Sequence, residues 1–288
     1  MKRPVCLITG ATEGVGRVTA IELARRGFHV VTAARNAGKA EALQREIEAA
    51  TGKVCAEYIV ADLASLAQVR QLAETFRQRH SGLDVLINNA GVFLPARTVT
   101  TDGYETTFQV NYLSHFVLTN LLLDPLRASR QGRIINLSSS VYSVGHFDPN
   151  NLQSETKFSV LGTYAASKLF MLMFTQELAR RLAGTPVTAN AVHPGIVRTH
   201  MMLSAPGAFR ILSYLSLPMS VSPEKGAQTS LHLATAPELA RVSGQYFAGA
   251  KAHIARNKSD TDENRRLLWD ISTRALLEQP AVPVRQTA

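Results

Sequence analysis

The sequence predicts an α/β domain built on one doubly wound parallel sheet with helices on both faces. Short apolar runs alternate with amphipathic stretches along the chain, the pattern of repeated strand-helix-strand units. A glycine-rich turn joins the first apolar run to the first amphipathic stretch. Neither a linker nor an internal repeat divides the chain. Residues 1–278 are therefore expected to form one domain, and 279–288, with Pro280 and Pro283, a frayed tail.

Residues 5–9 (Val-Cys-Leu-Ile-Thr) read as a strand buried on both faces. The turn Gly10-Ala11-Thr12-Glu13-Gly14-Val15-Gly16 follows, then a helix to about Arg26, and Gly27 leads into a strand over 28–34. Glycines at such a turn allow close approach of a pyrophosphate, and the helix N-terminus offers unpaired N–H groups to it. A purely structural loop is the alternative, but the strand before and helix after favour dinucleotide binding. At the end of the second strand a carboxylate would bind an adenosine ribose; Ala33-Ala34-Arg35-Asn36 stands there instead. A guanidinium at that place suits a 2′-phosphate, unless Arg35 is simply a solvated strand-end residue.

A helix over 37–50 and a strand over 54–61 follow, ending at Asp62-Leu63. Asp62 can cap the next helix, which begins near Ser65. A fourth strand, 83–87, runs into Asn88-Asn89-Ala90-Gly91, whose last two small residues admit a ligand against the backbone. The helix expected over 102–123 carries Asn111 among Phe108, Val110, Leu113 and Phe116, where an amide can be a packing residue. A fifth strand, 132–137, ends in Ser138-Ser139-Ser140, at the carboxyl end where such sheets bind ligands; turn chemistry explains serines there too.

The helix over 161–182 sets Tyr164 and Lys168 four apart on one face, Cβ atoms roughly 5–6 Å apart. A neighbouring ammonium eases ionisation of a phenol, whose ordinary pKa of about 10 is high for proton exchange at neutral pH. The spacing alone also fits a surface pair. A sixth strand, 187–192, leads to His193-Pro194-Gly195-Ile196-Val197-Arg198-Thr199. Residues 201–219 are rich in Met, Leu, Phe and Tyr, which fits a lid over 200–222 with an apolar underside or ordinary core packing. Ser222-Pro223-Glu224 opens a helix, 244–247 is the last strand, and a final helix over 262–277 contains Trp269.

These motifs, in this order, resemble the short-chain dehydrogenase/reductase family over nearly the whole chain. The resemblance implies a Rossmann-type sheet of about seven strands in the order 3-2-1-4-5-6-7. It assigns Asn111, Ser139, Tyr164 and Lys168 as catalytic residues. Tyr164 exchanges the proton, Lys168 lowers its pKa and holds the nicotinamide ribose, Ser139 polarises the carbonyl, and Asn111 holds a water linked to the lysine. The cofactor residues it implies are Gly10, Thr12, Glu13, Gly14, Val15, Gly16, Arg35, Asp62 (near the adenine), Leu63, Asn89, Ala90, Gly91, Tyr164, Lys168, Pro194, Gly195, Val197 and Thr199, the last four bordering the carboxamide-binding turn. The family gives His193 no role. Glu13 counts against NADP(H), because relatives preferring it often carry a basic or neutral residue there; Arg35 outweighs it, so NADP(H) is expected over NAD(H). Residues 147–152, 164–182 and 224–233, with Leu268-Trp269, look most like the retinol dehydrogenase and carbonyl reductase branch. The implied substrate is a lipophilic aldehyde, ketone or alcohol. The alternatives are an NAD-dependent alcohol dehydrogenase of this family and a non-catalytic NADP(H)-binding regulator.

The chain has 288 residues, 45% hydrophobic and 18% charged, enough for a large core. Its net charge of +9 is scattered, without a polybasic tract or aromatic platform, which argues against nucleic acid and suits an anionic cofactor or peripheral contact with an anionic membrane. Cys6 and Cys55 form neither a disulfide framework nor a metal set, and no metal is expected. No apolar segment reaches the roughly 18 residues of a membrane span, and no signal peptide is read at the start. A cytoplasmic protein is expected. Relatives often pair through the helices bearing Asn111 and Tyr164, which implies a homodimer or homotetramer.

Overall fold

Strand β1 (Val5–Thr9) is buried at every residue, and its side chains divide by parity between two cores. Leu7 joins a cluster on one face; Cys6 and Ile8 join another on the opposite face. The same division continues in β2 (His29–Ala34), where Val31 and Val30 face opposite ways. The chain is therefore a sheet between two helical layers, seen here in a computed structural model that describes residues 3–197 and 220–277. Thr199, most of the expected lid and the expected tail lie outside the described residues; Ser222 is described and caps the following helix.

With β3 (Ala56–Val60), β4 (Val85–Asn88), β5 (Arg133–Leu137), β6 (Thr188–His193), β7 (Tyr246–Ala248) and β8 (Lys251–His253), the sheet order is 3-2-1-4-5-6-7-8. All neighbours are parallel except β7 and β8. The expected seven strands are present in the expected order, and β8 extends them. It is a hairpin return across Gly249 (φ 55°) and Ala250 (φ 60°), the two positive-φ positions that a tight hairpin turn demands.

Helices α1 (Gly14–Arg25) and α2 (Ala37–Thr51) cover one face, α3 (Leu66–Arg79) the other. The helix expected over 102–123 begins later. A turn with Gly103 at φ 84° occupies its predicted start, and Glu105 caps α4 (Thr106–Phe108) by accepting from Phe108 N at 2.6 Å. The chain passes through a π-helical turn (Gln109–Leu113) into α5 (Ser114–Leu121), and α6 (Leu123–Ala128) follows. Helix α7 (Val160–Arg181) carries Tyr164 and Lys168, α8 (Pro223–Thr235) packs beside α1, and α9 (Asp262–Leu277) closes the other layer.

Two polar devices hold the site's supports. Asn88 donates to Asn136 Oδ1 at 2.7 Å and to Thr119 at 2.9 Å, and Asn136 donates to Thr175 at 2.9 Å, tying β4 and β5 to α5 and α7. Helix α9 lies across α5 and α7: Trp269 meets Phe116 edge-on with ring centroids 5.0 Å apart, and Tyr112 shares a 2.7 Å hydrogen bond with Ser272. The helices expected to pair two copies thus already carry a helix of their own chain.

Candidate active site

The glycine turn is shaped by what it touches. A Cβ on Gly10 (φ 64°) would lie 2.7 Å from Ala90 Cα, and one on Gly16 would lie 2.6 Å from Gly10 O. Only glycines let this turn close against the 88–91 segment. Thr9 and Asn89 lock the contact. The Thr9 hydroxyl accepts from Asn89 N at 2.9 Å and Ala90 N at 3.0 Å, while Asn89 Nδ2 donates to the carbonyls of Thr9 and Gly10. Glu13 does not cap α1 with its side chain; it pairs with Lys39 instead. The first turn of α1 therefore presents Gly14, Val15 and Gly16 as main-chain donors at the carboxyl ends of β1 and β4.

The catalytic candidates converge next to it. Asn111 clamps Val92, accepting from its N–H at 2.7 Å and donating to its carbonyl at 3.0 Å, and also donates to Ser167 on α7. A side chain on Gly91 would fall 3.3 Å from Asn111 Oδ1 and 3.6 Å from Lys168 Nζ, so the missing Cβ keeps polar space open between them. Lys168 is 5% exposed and donates to Leu137 O at 3.1 Å. Its Nζ lies 5.5 Å from the centre of the Tyr164 ring, which packs edge-on against Phe93. The three adjacent serines separate by environment. Ser138 is buried and donates to Lys168 O at 2.8 Å, Ser140 is exposed, and Ser139 is half-buried at the start of the turn Ser140–Val144.

Several expectations need correction. Lys168 does not make Tyr164 more acidic in the protein alone: burial pushes the phenol up to about 12 and the ammonium down to about 8. Desolvation is the cause in both groups, and Lys168 donates to Leu137 O. Asp62 does not cap α3; Ser65 does, and Asp62 accepts from Ala64 N in its own turn. Leu63, Val15 and Val197 turn their side chains into the cores, leaving only main-chain atoms for a ligand. The loop after Ser139 is anchored by buried Phe147, set edge-on to Phe170. Pro194 and half-buried Gly195 (φ 88°) stand at the end of β6, where His193, its pKa lowered by burial, accepts from Ser140 N at 3.3 Å.

Two neighbours escaped the sequence reading. Lys39 stands one helical turn beyond exposed Arg35, and its spacing from that residue was the available signal. His115 shares a hydrogen bond with Thr9 at 3.0 Å and one with Asn111 O at 3.2 Å, buried and neutral in character. Its position one turn after Asn111 was visible; its partner 106 residues away was not.

The glycine cradle, the open helix start and the space beside Gly91 fit a dinucleotide. The short chain dehydrogenase family model matches residues 4–206. Human retinol dehydrogenase 13 is 42% identical over 285 residues, covering 96% of this chain and 86% of that protein. A crystal structure of an uncharacterised Mycobacterium paratuberculosis protein aligns with TM-score 0.75 at 31% identity, covering 95% of this chain and 93% of that one. An Escherichia coli short chain dehydrogenase complexed with NADPH aligns with TM-score 0.68 at 25% identity, covering 87% and 98%. Sequence, fold and site agree that the chain belongs to the short-chain dehydrogenase/reductase family, in its retinol dehydrogenase-like branch.

Proposed function

We propose that this oxidoreductase reduces a lipophilic aldehyde or ketone with NADP(H), or oxidises the matching alcohol. The observation that carries the reading is the grouping of Asn111, Lys168 and the Tyr164 ring around Gly91, beside the glycine turn, with half-buried Ser139 at the carboxyl end of β5. When bound, the cofactor supplies a hydride and, once oxidised, a positive nicotinamide ring.

The protein's own groups do the rest. Ser139 positions and polarises the carbonyl oxygen. Tyr164, a neutral phenol far below its pKa of about 12, is in the protonation state that reduction requires and gives its proton to the developing alkoxide. Lys168 holds the nicotinamide ribose and refills that proton. Asn111 spaces the 91–92 segment and, with one Oδ1 lone pair left, holds the water that serves Lys168. Arg35 and Lys39 form the cationic platform for a 2′-phosphate, and Lys39 neutralises the Glu13 charge that would oppose it. A lipophilic substrate is supported by the likeness to a retinol dehydrogenase and by the apolar composition of residues 201–219. Two buried free thiols suit a cytoplasmic setting. An NAD-dependent alcohol dehydrogenase is the second reading, favoured by Glu13.

The test is NADPH oxidation against a carbonyl panel containing retinal and small polar aldehydes. Tyr164→Phe should abolish turnover yet bind NADPH almost as wild type does. Near-normal turnover by that variant would remove Tyr164 from the mechanism, and a preference for the small polar carbonyls would remove the lipophilic substrate.

A further inference from the structure

At the amino ends of the strands, away from the crevice, three side chains from distant parts of the sequence converge. We propose that His29, Glu57 and His80 form a binding site for a divalent metal ion of the zinc class. His29 opens β2, and the β2–β3 register sets Glu57 beside Val31. Residues 29 and 31 share a face of the strand, so His29 and Glu57 project together toward the layer that holds α3. His80 terminates α3 in an extended conformation, with its ring held against Phe76 at 4.8 Å between centroids. The helix end thus delivers an imidazole to the strand pair.

The three groups meet through compatible atoms. His29 Nε2 and His80 Nε2 lie 3.1 Å and 2.5 Å from the same oxygen, Oε1 of Glu57. One donor atom from each residue lies within 4.8 Å of the other two. Zinc bonds of about 2.0–2.2 Å in a tetrahedron place ligands roughly 3.3–3.5 Å apart, so rotations of the side chains suffice to admit the ion. Arg79 contacts the other carboxylate oxygen, Oε2, at 3.2 Å. That contact orients Glu57 so that a single oxygen faces the imidazoles, the role outer partners play around metal-bound carboxylates. Two imidazoles and one carboxylate are a donor set suited to zinc, and side-chain exposures of 26%, 26% and 14% leave a fourth position for water.

A bare ion-pair cluster is the competing account, and zinc binding distinguishes them. Tag-free protein stripped with a chelator is titrated with Zn²⁺ in competition with a chromophoric chelator. One equivalent per chain is expected, with affinity falling at least about a hundredfold in the His29→Gln/His80→Gln double variant and a Tm rise on adding zinc seen only in wild type. Should the double variant not fold, His80→Gln alone serves, since His80 lies outside the sheet. Zinc binding of equal strength in wild type and variant, or less than one equivalent in wild type, would overturn the proposal.

Discussion

The Thr9 hydroxyl must give its proton to Nε2 of His115. Two main-chain N–H groups, from Asn89 and Ala90, fill its acceptor positions, and the imidazole nitrogen 3.0 Å away is the partner left. His115 is thereby fixed as the neutral tautomer whose Nδ1–H is donated to Asn111 O. Burial, opposed by that carbonyl and aided by Lys168, lowers its pKa from 6.5 to about 4. As pH falls from 6.5 toward 4 the unfolded chain protonates first, so stability present above that window is lost within it. This group alone should remove up to about 3 kcal/mol there. His115→Leu lacks that component, so the stability gap between wild type and variant should narrow from pH 7 to 4.5 in urea unfolding. A constant gap would mean that folding leaves the His115 pKa unshifted.

Lys168 shifts in the same direction, in a higher pH window. Burial lowers its pKa from 10.5 to about 8, so between those values the unfolded chain holds more protons than the folded one. Stability therefore rises with pH through that window, and the cost of a buried ammonium is fully present below pH 8. Lys168→Met should stabilise the fold by about 2 kcal/mol at pH 7, a gain that shrinks by pH 10, while carbonyl reduction is lost. Unfolding at both pH values decides it; a destabilised variant would show that the Leu137 contact outweighs burial.

Arg35 is exposed, and among the described residues it forms no ion pair, while Lys39 is shared with Glu13. Arg35→Ala/Lys39→Ala should weaken NADPH roughly tenfold or more and NADH less than about twofold. Equal losses for the two cofactors, measured by fluorescence titration, would point to the pyrophosphate rather than the 2′-phosphate as the partner.

Because α9 occupies α5 and α7, light scattering should return the mass of one 31.3 kDa chain. A stable dimer would require a different face, which crosslinking would locate.

Local chemistry was easiest to read. The glycine turn, the 88–91 segment and the Tyr164–Lys168 spacing each lie within a few residues, and neighbours in sequence are neighbours in space. Strand β8 was missed because Lys251, Ala252 and His253 are all exposed and show no apolar alternation; pairing with β7 alone defines it. The acidity of Tyr164 was misread because spacing reports a nearby charge and says nothing of how much water remains around it. The bond from His115 to Thr9 and the meeting of His29 with Glu57 and His80 depend on tertiary contacts, which periodicity does not encode.

Trp269 is the single tryptophan of the chain, wedged beside Phe116 and Phe174 with the Arg181 guanidinium 4.3 Å above its ring. Indole emission from this molecule therefore comes from one place. That emission reports, without any label, whether the last helix stays docked on Phe116 and Phe174.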